Sequence, residues 1–527
     1  MSTPKPQLPK INETERTPVV DALLELVAWQ SDRIEKLEQV IIKLKGETAK
    51  PVIQPSKMDQ ETSSPEAEEE VQPRKRGPKR QKTAELRIDT TIRVEPETLP
   101  EGSRFKGYRP VIIQDLRVES FNTCYELAQY QTPAGTYVSG VLPEHLKGRH
   151  FGPTLISFIQ HQYHHQHVTQ PLLLEFLHEL GVEISAGQLN HLLTEDLTPF
   201  HQEKEDLLRV GLRVSSYLHT DDTGARHQGK TGYCTQIGNE QFAWFSSTDR
   251  KSRINFLELL SQGVERRYVI NADAWAYMKH QKLPKSVYAA LADTRLEILE
   301  ETAWNTWLDD HGIQTPRHRR IMTEGALIGG LLAQGIPRDL SLISDDAGQF
   351  NVFDHALCWI HAERGINRLI PLNEGHAQAV EWARSELWGI YADLKAYKLT
   401  PTEAQADAIR HRFQALCHSR TVYETLNQVL KRLGNQQQEL LRVLDKPELP
   451  LHNNLSERDL RDYVKKRKIS GGTRSDAGRK ARDTFASLKQ TCRKHGLSFW
   501  NYLKDRALGK GEIPRLAELI RDAATCG

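Results

Sequence analysis

Two short apolar runs, each ending in a pair of aspartates, constrain this chain more than any other feature. They are VSSYLHTDDTG (Val214 to Gly224) and LSLISDDAGQF (Leu340 to Phe350). Each reads as a β-strand that runs into acidic residues. In open α/β sheets, sites gather at the carboxyl ends of the strands, so Asp221-Asp222 and Asp345-Asp346 are expected to converge there. Clustered carboxylates repel one another unless a cation sits among them. Mg²⁺ or Mn²⁺ suits such an oxygen-donor set, and two such ions about 3.5–4 Å apart can drive phosphoryl transfer. The plainer reading of an Asp pair after a strand is a turn or a helix cap. Asp273, in VINADAW, also ends a strand-like run and competes for the second position.

A third carboxylate completes such a cage, and Glu457 is the candidate. It opens a predicted helix that carries Arg458, Arg461, Lys465, Lys466, Arg467 and Lys468, with Arg474 beyond it. The chain as a whole is near neutral, with 71 Lys and Arg against 69 Asp and Glu. Between Glu457 and Lys510, however, sixteen Lys and Arg face six Asp and Glu, so the positive charge is concentrated at one end. That pattern excludes a uniformly basic coat and predicts a local surface for nucleic-acid phosphates. Asn453 and Asn454 are candidates for bonding nucleic-acid groups or for capping the helix. Gly471-Gly472 would let backbone N–H groups approach a phosphate.

The 527 residues allow two to four domains. Val20, Leu23, Val27, Gln30, Ile34, Leu37, Ile41 and Leu44 recur at spacings of three and four. They predict a coiled-coil dimerisation helix over 18–46, with a single helix packed on its own domain as the alternative. Residues 47–100 read as a disordered charged linker. Its basic run RKRGPKR resembles an AT-hook, in which Arg74, Arg76 and Arg80 would enter a minor groove. Residues 101–205 read as a DNA-binding region, strand-rich and then helical. Its helix–Gly181–Ser185–helix layout fits a helix-turn-helix or any helical hairpin. His161, His164, His165 and His167 lack a completing Cys or carboxylate for a metal and read as polar surface or phosphate contacts. Residues 206–510 read as one α/β domain, with a helical segment at 281–338, and 511–527 as a tail. The six cysteines form no CxxC pair, no run is apolar enough to span a bilayer, and no signal peptide opens the chain. A soluble protein of a reducing cytosol is expected.

These motifs, in this order, resemble those of bacterial transposases of the insertion sequence 66 type, within the wider DDE group. HTDDTG (219–224), SDDAGQF (344–350), CWIHAERG (358–365), LHNNLSERDLR (451–461), RKISGGTRS (467–475), SLKQTCRKHG (487–496) and FWNYL (499–503) carry the resemblance, over roughly residues 200–505. It implies an RNase H-like catalytic core with a helical insertion and a helical C-terminal region. It implies that Asp221, Asp345 and Glu457 hold the divalent ions, and that Cys358, Trp359, His361 and Arg364 support the site. It further implies cleavage of terminal inverted repeats and their joining to target DNA, in a bacterial cytosol at the nucleoid. A homo-oligomer and accessory proteins fit the same picture. The chain departs from the family in its lone Cys124, which predicts no zinc finger, in Asp222, which replaces a Glu, and in His452, which replaces an Asp. The spacing of 124 positions from Asp221 to Asp345 is also long, which makes 281–338 look inserted. Two other functions compete: a non-catalytic DNA-binding regulator, and a metal-dependent nuclease without strand transfer.

Overall fold

The computed structural model describes residues 87–291 and 295–526. The expected coiled coil, most of the linker, and Arg74, Arg76 and Arg80 lie outside the described residues. Residues 87–116 form a unit of their own, without helix or strand. Everything that follows belongs to the second unit, from Arg117 onward.

Residues 101–150 were expected to be strand-rich. They yield only a small antiparallel pair, β1 (Gln129–Gln131) and β2 (Tyr137–Ser139), exposed along both strands. Without a covered face, the β-branched residues of this stretch have nothing to pack on. Helices then take over: α1 (Pro153–His164), α2 (Gln170–Glu179), α3 (Ala186–Thr194) and α4 (Thr198–Val214). Gly181, at φ +74°, turns the chain after α2. Ser185 starts α3 with a reciprocal cap: its Oγ accepts from Gln188 N (3.2 Å), and Gln188 Oε1 accepts from Ser185 N (3.0 Å). Ile159, Leu173, Leu177, Leu189 and Leu193 close a small core of their own.

The main sheet follows. β3 (Tyr217–His227), β4 (Lys230–Gly238) and β5 (Ala243–Thr248) form an antiparallel meander. Helix α5 (Arg253–Ser261), β6 (Tyr268–Ile270), α6 (Ala272–His280), α7 (Lys285–Leu291), β7 (Leu296–Ile298), α8 (Glu301–Asp310) and α9 (Pro316–Ala333) lead to β8 (Ser341–Ser344) and β9 (Asp354–Leu357). The strand order is β5-β4-β3-β8-β9, with β8 parallel to both β3 and β9. The segment 281–338 is not a separate body. Leu283, Trp304, Leu308, Ile321 and Leu327 share one core with Leu218, Ile237 and Trp244 of the sheet.

A second core lies further along. Helices α10 (Trp359–Asn367), α11 (Glu374–Leu399), α12 (Glu403–His418), α13 (Glu424–Asn435) and α14 (Gln437–Leu440) bury Trp359, Leu387, Phe413 and Leu430 together. The chain returns to the sheet with α15 (Asn454–Ser470), α16 (Asp476–Lys494), α17 (Phe499–Leu508) and α18 (Leu516–Cys526). Among the described residues no helix is long and apolar enough to cross a membrane.

Helix α16 closes the free edge of the sheet. β5 is an edge strand, and its outward N–H groups would otherwise be unpaired. Ala243 N donates to Thr491 Oγ1 (3.2 Å), Phe245 N to Ser487 Oγ (2.9 Å) and Ser247 N to Asp483 Oδ2 (2.7 Å). The three acceptors are spaced by four along α16, which aligns them on one face. Ser487→Ala removes the hydroxyl with little change in volume and leaves the Phe245 N–H buried without a partner. The expected loss is about 1–3 kcal/mol, read as a lower urea midpoint at unchanged slope.

Candidate active site

The parallel pairing of β3 with β8 sets the site. Tyr217, Leu218 and His219 pair with Ser341, Leu342 and Ile343. Asp221 and Asp345 each lie two residues past the last pair, so the register carries both to the same edge. Asp345 follows the end of β8, as the sequence predicts. Asp221 does not end its strand: β3 runs on to His227, paired with β4 through Asp221↔Gln236 and Asp222↔Thr235. The polar TDDTGARH stretch stays extended because β4 supplies a partner after β8 has turned away.

Glu457 arrives on the first turn of α15. The start of that helix is fixed by Asn453, which is 0% exposed. Its Nδ2 donates to Thr220 O (2.8 Å), and its Oδ1 accepts from His219 Nδ1 (2.9 Å). Its backbone N donates to Cys358 Sγ (3.2 Å). Ser456 bonds Gln236 of β4. Thus α15 is anchored to the strand that carries Asp221, one and two residues before it.

Asp345 and Glu457 both act on Asp221. Burial raises the Asp221 carboxyl to about 7, and the charges of Asp345, Asp222 and Glu457 push the same way, against a hydrogen bond from Asp222 N. Asp345 and Glu457 also both raise His361, although burial and Arg364 lower it overall. Glu457 Oε1 accepts from Arg364 (3.1 Å) and lies 3.7 Å from His361 Nε2. Among the described residues, no basic group pairs with Asp221 or Asp345. Asp345 Oδ1 instead accepts from Ala347 N (3.0 Å). As they stand, no three His, Cys, Asp or Glu side chains among the described residues are grouped closely enough to grip a metal ion. The donor chemistry nevertheless suits a hard divalent cation: oxygen ligands only, with uncompensated like charge centred on Asp221.

The other acidic candidates have protein partners. Asp222 pairs with Lys251 (2.8 Å) and accepts from Gln349 Nε2 (2.6 Å). Asp346 is bonded by Gln436. Asp273 sits at the start of α6 in a bidentate pair with Arg338 (2.9 and 2.9 Å), and so stands outside this cluster. Cys358 and Trp359 are buried, and Trp359 Nε1 donates to Leu440 O (2.8 Å).

The basic residues divide by helix face. Arg458, Arg461, Lys465 and Lys468 recur at spacings of three and four and are exposed, as is Arg474. Asn454 is half-buried. Arg467 turns back to bond Thr223 Oγ1 (3.2 Å) and Gly224 O. Asn453 and Lys466 were read as nucleic-acid contacts, but both lie inside the protein. Gly472 also serves the fold: a Cβ there would come within 2.4 Å of Arg226 O. Thr473 N donates to that same oxygen (2.9 Å), so the close approach is to β3.

The buried face of α15 carries an ion pair that a sequence reading alone does not find. Asp462 bonds Lys489 and accepts from His167 Nε2 (3.2 Å). Burial raises the Asp462 carboxyl, but the His167 hydrogen bond and the Lys489 charge outweigh it and hold the group well below its usual range. A depressed acid contributes stability above its unfolded value of about 3.9 and loses it as the pH falls through the folded value. Asp462→Asn should therefore lower the melting temperature most above about pH 5. The gap to wild type should narrow steadily as acid is added. Parallel melting curves of the two proteins from pH 7 to pH 3 measure it.

An α/β sheet with carboxylates gathered at its parallel strand ends, beside a cationic helix face, defines the class. Comparison with known proteins makes it specific. Residues 342–481, from β8 into the first turns of α16, match the Transposase IS66 family. A protein of Sinorhizobium fredii (strain NBRC 101917 / NGR234), described only as uncharacterized protein y4jO, is 41% identical over 318 residues, 60% of this chain and 99% of that protein. The chain belongs to the IS66 transposase family.

Proposed function

We propose that this protein is a DNA transposase that cuts the ends of its element and joins them to target DNA, with Asp221, Asp345 and Glu457 as its catalytic carboxylates. The observation that carries this reading is that the charges of Asp345, from the end of β8, and Glu457, from the first turn of α15, both act on the half-buried Asp221 of β3. The strand order β5-β4-β3-β8-β9, antiparallel on one side and parallel on the other, supports an RNase H-like core. Mg²⁺ or Mn²⁺, held by these three residues, would supply Lewis-acid stabilisation and a water of lowered pKa. The reaction begins with attack of water on a phosphodiester at the element's end, which releases a 3′-hydroxyl. That hydroxyl then attacks a target phosphodiester and displaces the target strand's own 3′-oxygen.

The protein's own groups orient this chemistry. Arg364 and His361 steady the Glu457 carboxylate. Lys251 and Gln349 hold Asp222 and so fix the strand beside Asp221. The exposed Arg458, Arg461, Lys465 and Lys468 line up to meet successive phosphates, with Arg474 beyond them. Helices α2 and α3 read as a helix-turn-helix-like contact to the terminal repeats. Arg74, Arg76 and Arg80 add a minor-groove contact, and the 18–46 seam pairs two protomers. The test is a cleavage and joining assay on the element's own ends with Mg²⁺. Nicked and joined products support the reading. Cleavage without joining would make the protein a nuclease, and binding without either product a regulator.

A further inference from the structure

Of the three carboxylates proposed above, Asp345 has the least regular footing. Asp221 lies within β3 and Glu457 within α15, whereas Asp345 falls one residue past β8, in the loop that leads to β9. Among the described residues its hydrogen bonds are local. Its carboxylate accepts from Ala347 N (3.0 Å), and its carbonyl accepts from Ser344 Oγ (2.6 Å). The loop 345–350 therefore decides where that carboxylate stands, and Arg253 grips the loop's main chain from outside. Arg253 Nη2 donates to Gly348 O (2.6 Å). Its Nη1 donates to Tyr277 Oη (3.1 Å) and to Glu324 Oε2 (3.4 Å). Tyr277 Oη donates to the same Glu324 oxygen (2.7 Å). Glu324 is 1% exposed, while Arg320 approaches it only at 3.9 Å from the surface. Arg253 itself is fixed at the start of α5, where Ser252 Oγ caps the helix by accepting from Asn255 N (3.2 Å). Three residues on, Phe256 meets Phe350 edge to face, with 5.0 Å between ring centres.

We propose that Arg253 is a positioning residue for Asp345: anchored on Glu324 and Tyr277, its guanidinium holds the Gly348 carbonyl and so sets the place at which the Asp345 carboxylate would meet a divalent ion. The inference rests on the catalytic reading above. Stability alone explains the arrangement poorly, because desolvating a buried charge pair largely cancels its attraction, and apolar residues of like volume often do as well. What a guanidinium adds is geometry. Its planar fork reaches two acceptors in fixed directions, here Glu324 on α9 and the main chain of the loop. Tyr277 completes the anchor: burial and the bond to Glu324 push its hydroxyl up and keep it protonated as a donor. The loop's other polar ties are made by side chains, Asp346 to Gln436 and Gln349 to Asp222. Tyr277 on α6 and Glu324 on α9 both come from the long stretch between Asp221 and Asp345. That stretch thus braces the site as well as filling the core beneath the sheet.

The experiment follows the melting of the full chain as Mg²⁺ is added, with potassium chloride at matched ionic strength as the reference. An ion that binds only the folded state raises its stability with the logarithm of concentration over Kd, so the rise yields a Kd. Arg253→Gln combined with Glu324→Gln removes both charges together, so no buried charge is left unpaired and the chain should fold. Its Kd for Mg²⁺ should rise by about 10–100-fold. Arg253→Lys keeps a charge beside Glu324 but has no fork to span Glu324 and Gly348 O at once, and its Kd should rise several-fold. Ser487→Ala weakens the far edge of the sheet and should bind Mg²⁺ like wild type, so a weaker fold does not imitate the effect. Wild-type Mg²⁺ affinity in either Arg253 variant, or equal weakening in Ser487→Ala, would overturn the role of Arg253 and leave the catalytic reading standing. Melting of the wild type that ignores Mg²⁺, or Mg²⁺ affinity that survives Asp345→Asn unchanged, would overturn the metal site itself and this inference with it. No arm requires strand cleavage.

Discussion

Asp221→Asn is expected to lower strand cleavage by about a thousandfold or more, roughly 4 kcal/mol of lost transition-state stabilisation. Asparagine keeps the size of the side chain and its place in β3, so the sheet pairing through Gln236 survives. What it removes is the charge at the centre of the cluster, on which Asp345, Asp222 and Glu457 all act. Two further results should accompany the loss. Affinity for the element's ends should hold or rise, because a negative group has left the path of the DNA. The metal-free protein should melt higher than wild type, since repulsion in a half-buried acidic group has been relieved, and it should gain less on addition of Mg²⁺. Asp345→Asn and Glu457→Gln should show the same loss of cleavage. Wild-type cleavage by Glu457→Gln would remove residue 457 from the triad.

Much of this arrangement was legible in the sequence because its signals are local. VSSYLH and LSLIS carry Val, Tyr, Leu and Ile in short runs that read as strands, and the acidic residues behind them stand out. The long helices after β9 are legible for the same reason. What was not legible depends on pairing between distant segments. TDDTGARH is too polar to look like a strand, and it is one because β4 lies beside it. The spacing of Asp483, Ser487 and Thr491 looks like the polar face of a surface helix until β5 is found against it. Lys466 sits in a run of four cations and is indistinguishable there from its exposed neighbours. Which one turns inward is decided by the phase of α15 against α1. The segment 281–338 looked inserted because its length separates Asp221 from Asp345, whereas its apolar residues complete the core of the sheet.

Asn453 is where a local reading failed in the most consequential way, and it yields the second large prediction. An asparagine at a helix start usually caps by accepting from the first backbone N–H groups. Here it makes no such bond. Both ends of its amide are spent on β3, at His219 and Thr220, so it functions as a strut between the helix carrying Glu457 and the strand carrying Asp221. Asn453→Ala leaves the Thr220 carbonyl without this donor and the buried His219 Nδ1 without an acceptor, at about 1–3 kcal/mol for each group. Released from the strut, the first turn of α15 can shift. A displacement of about 1 Å at a reacting group costs on the order of a hundredfold in rate. Cleavage by Asn453→Ala should fall by about that factor, with DNA affinity within about twofold of wild type because the exposed Arg458, Arg461, Lys465 and Lys468 are untouched. Lost stability alone is separated from lost positioning by Ser487→Ala, which weakens the far edge of the sheet by a similar amount. At a temperature well below both melting points, Ser487→Ala should cleave like wild type and Asn453→Ala should not. Equal activity in the two variants would reduce Asn453 to a structural residue and detach the placement of Glu457 from β3.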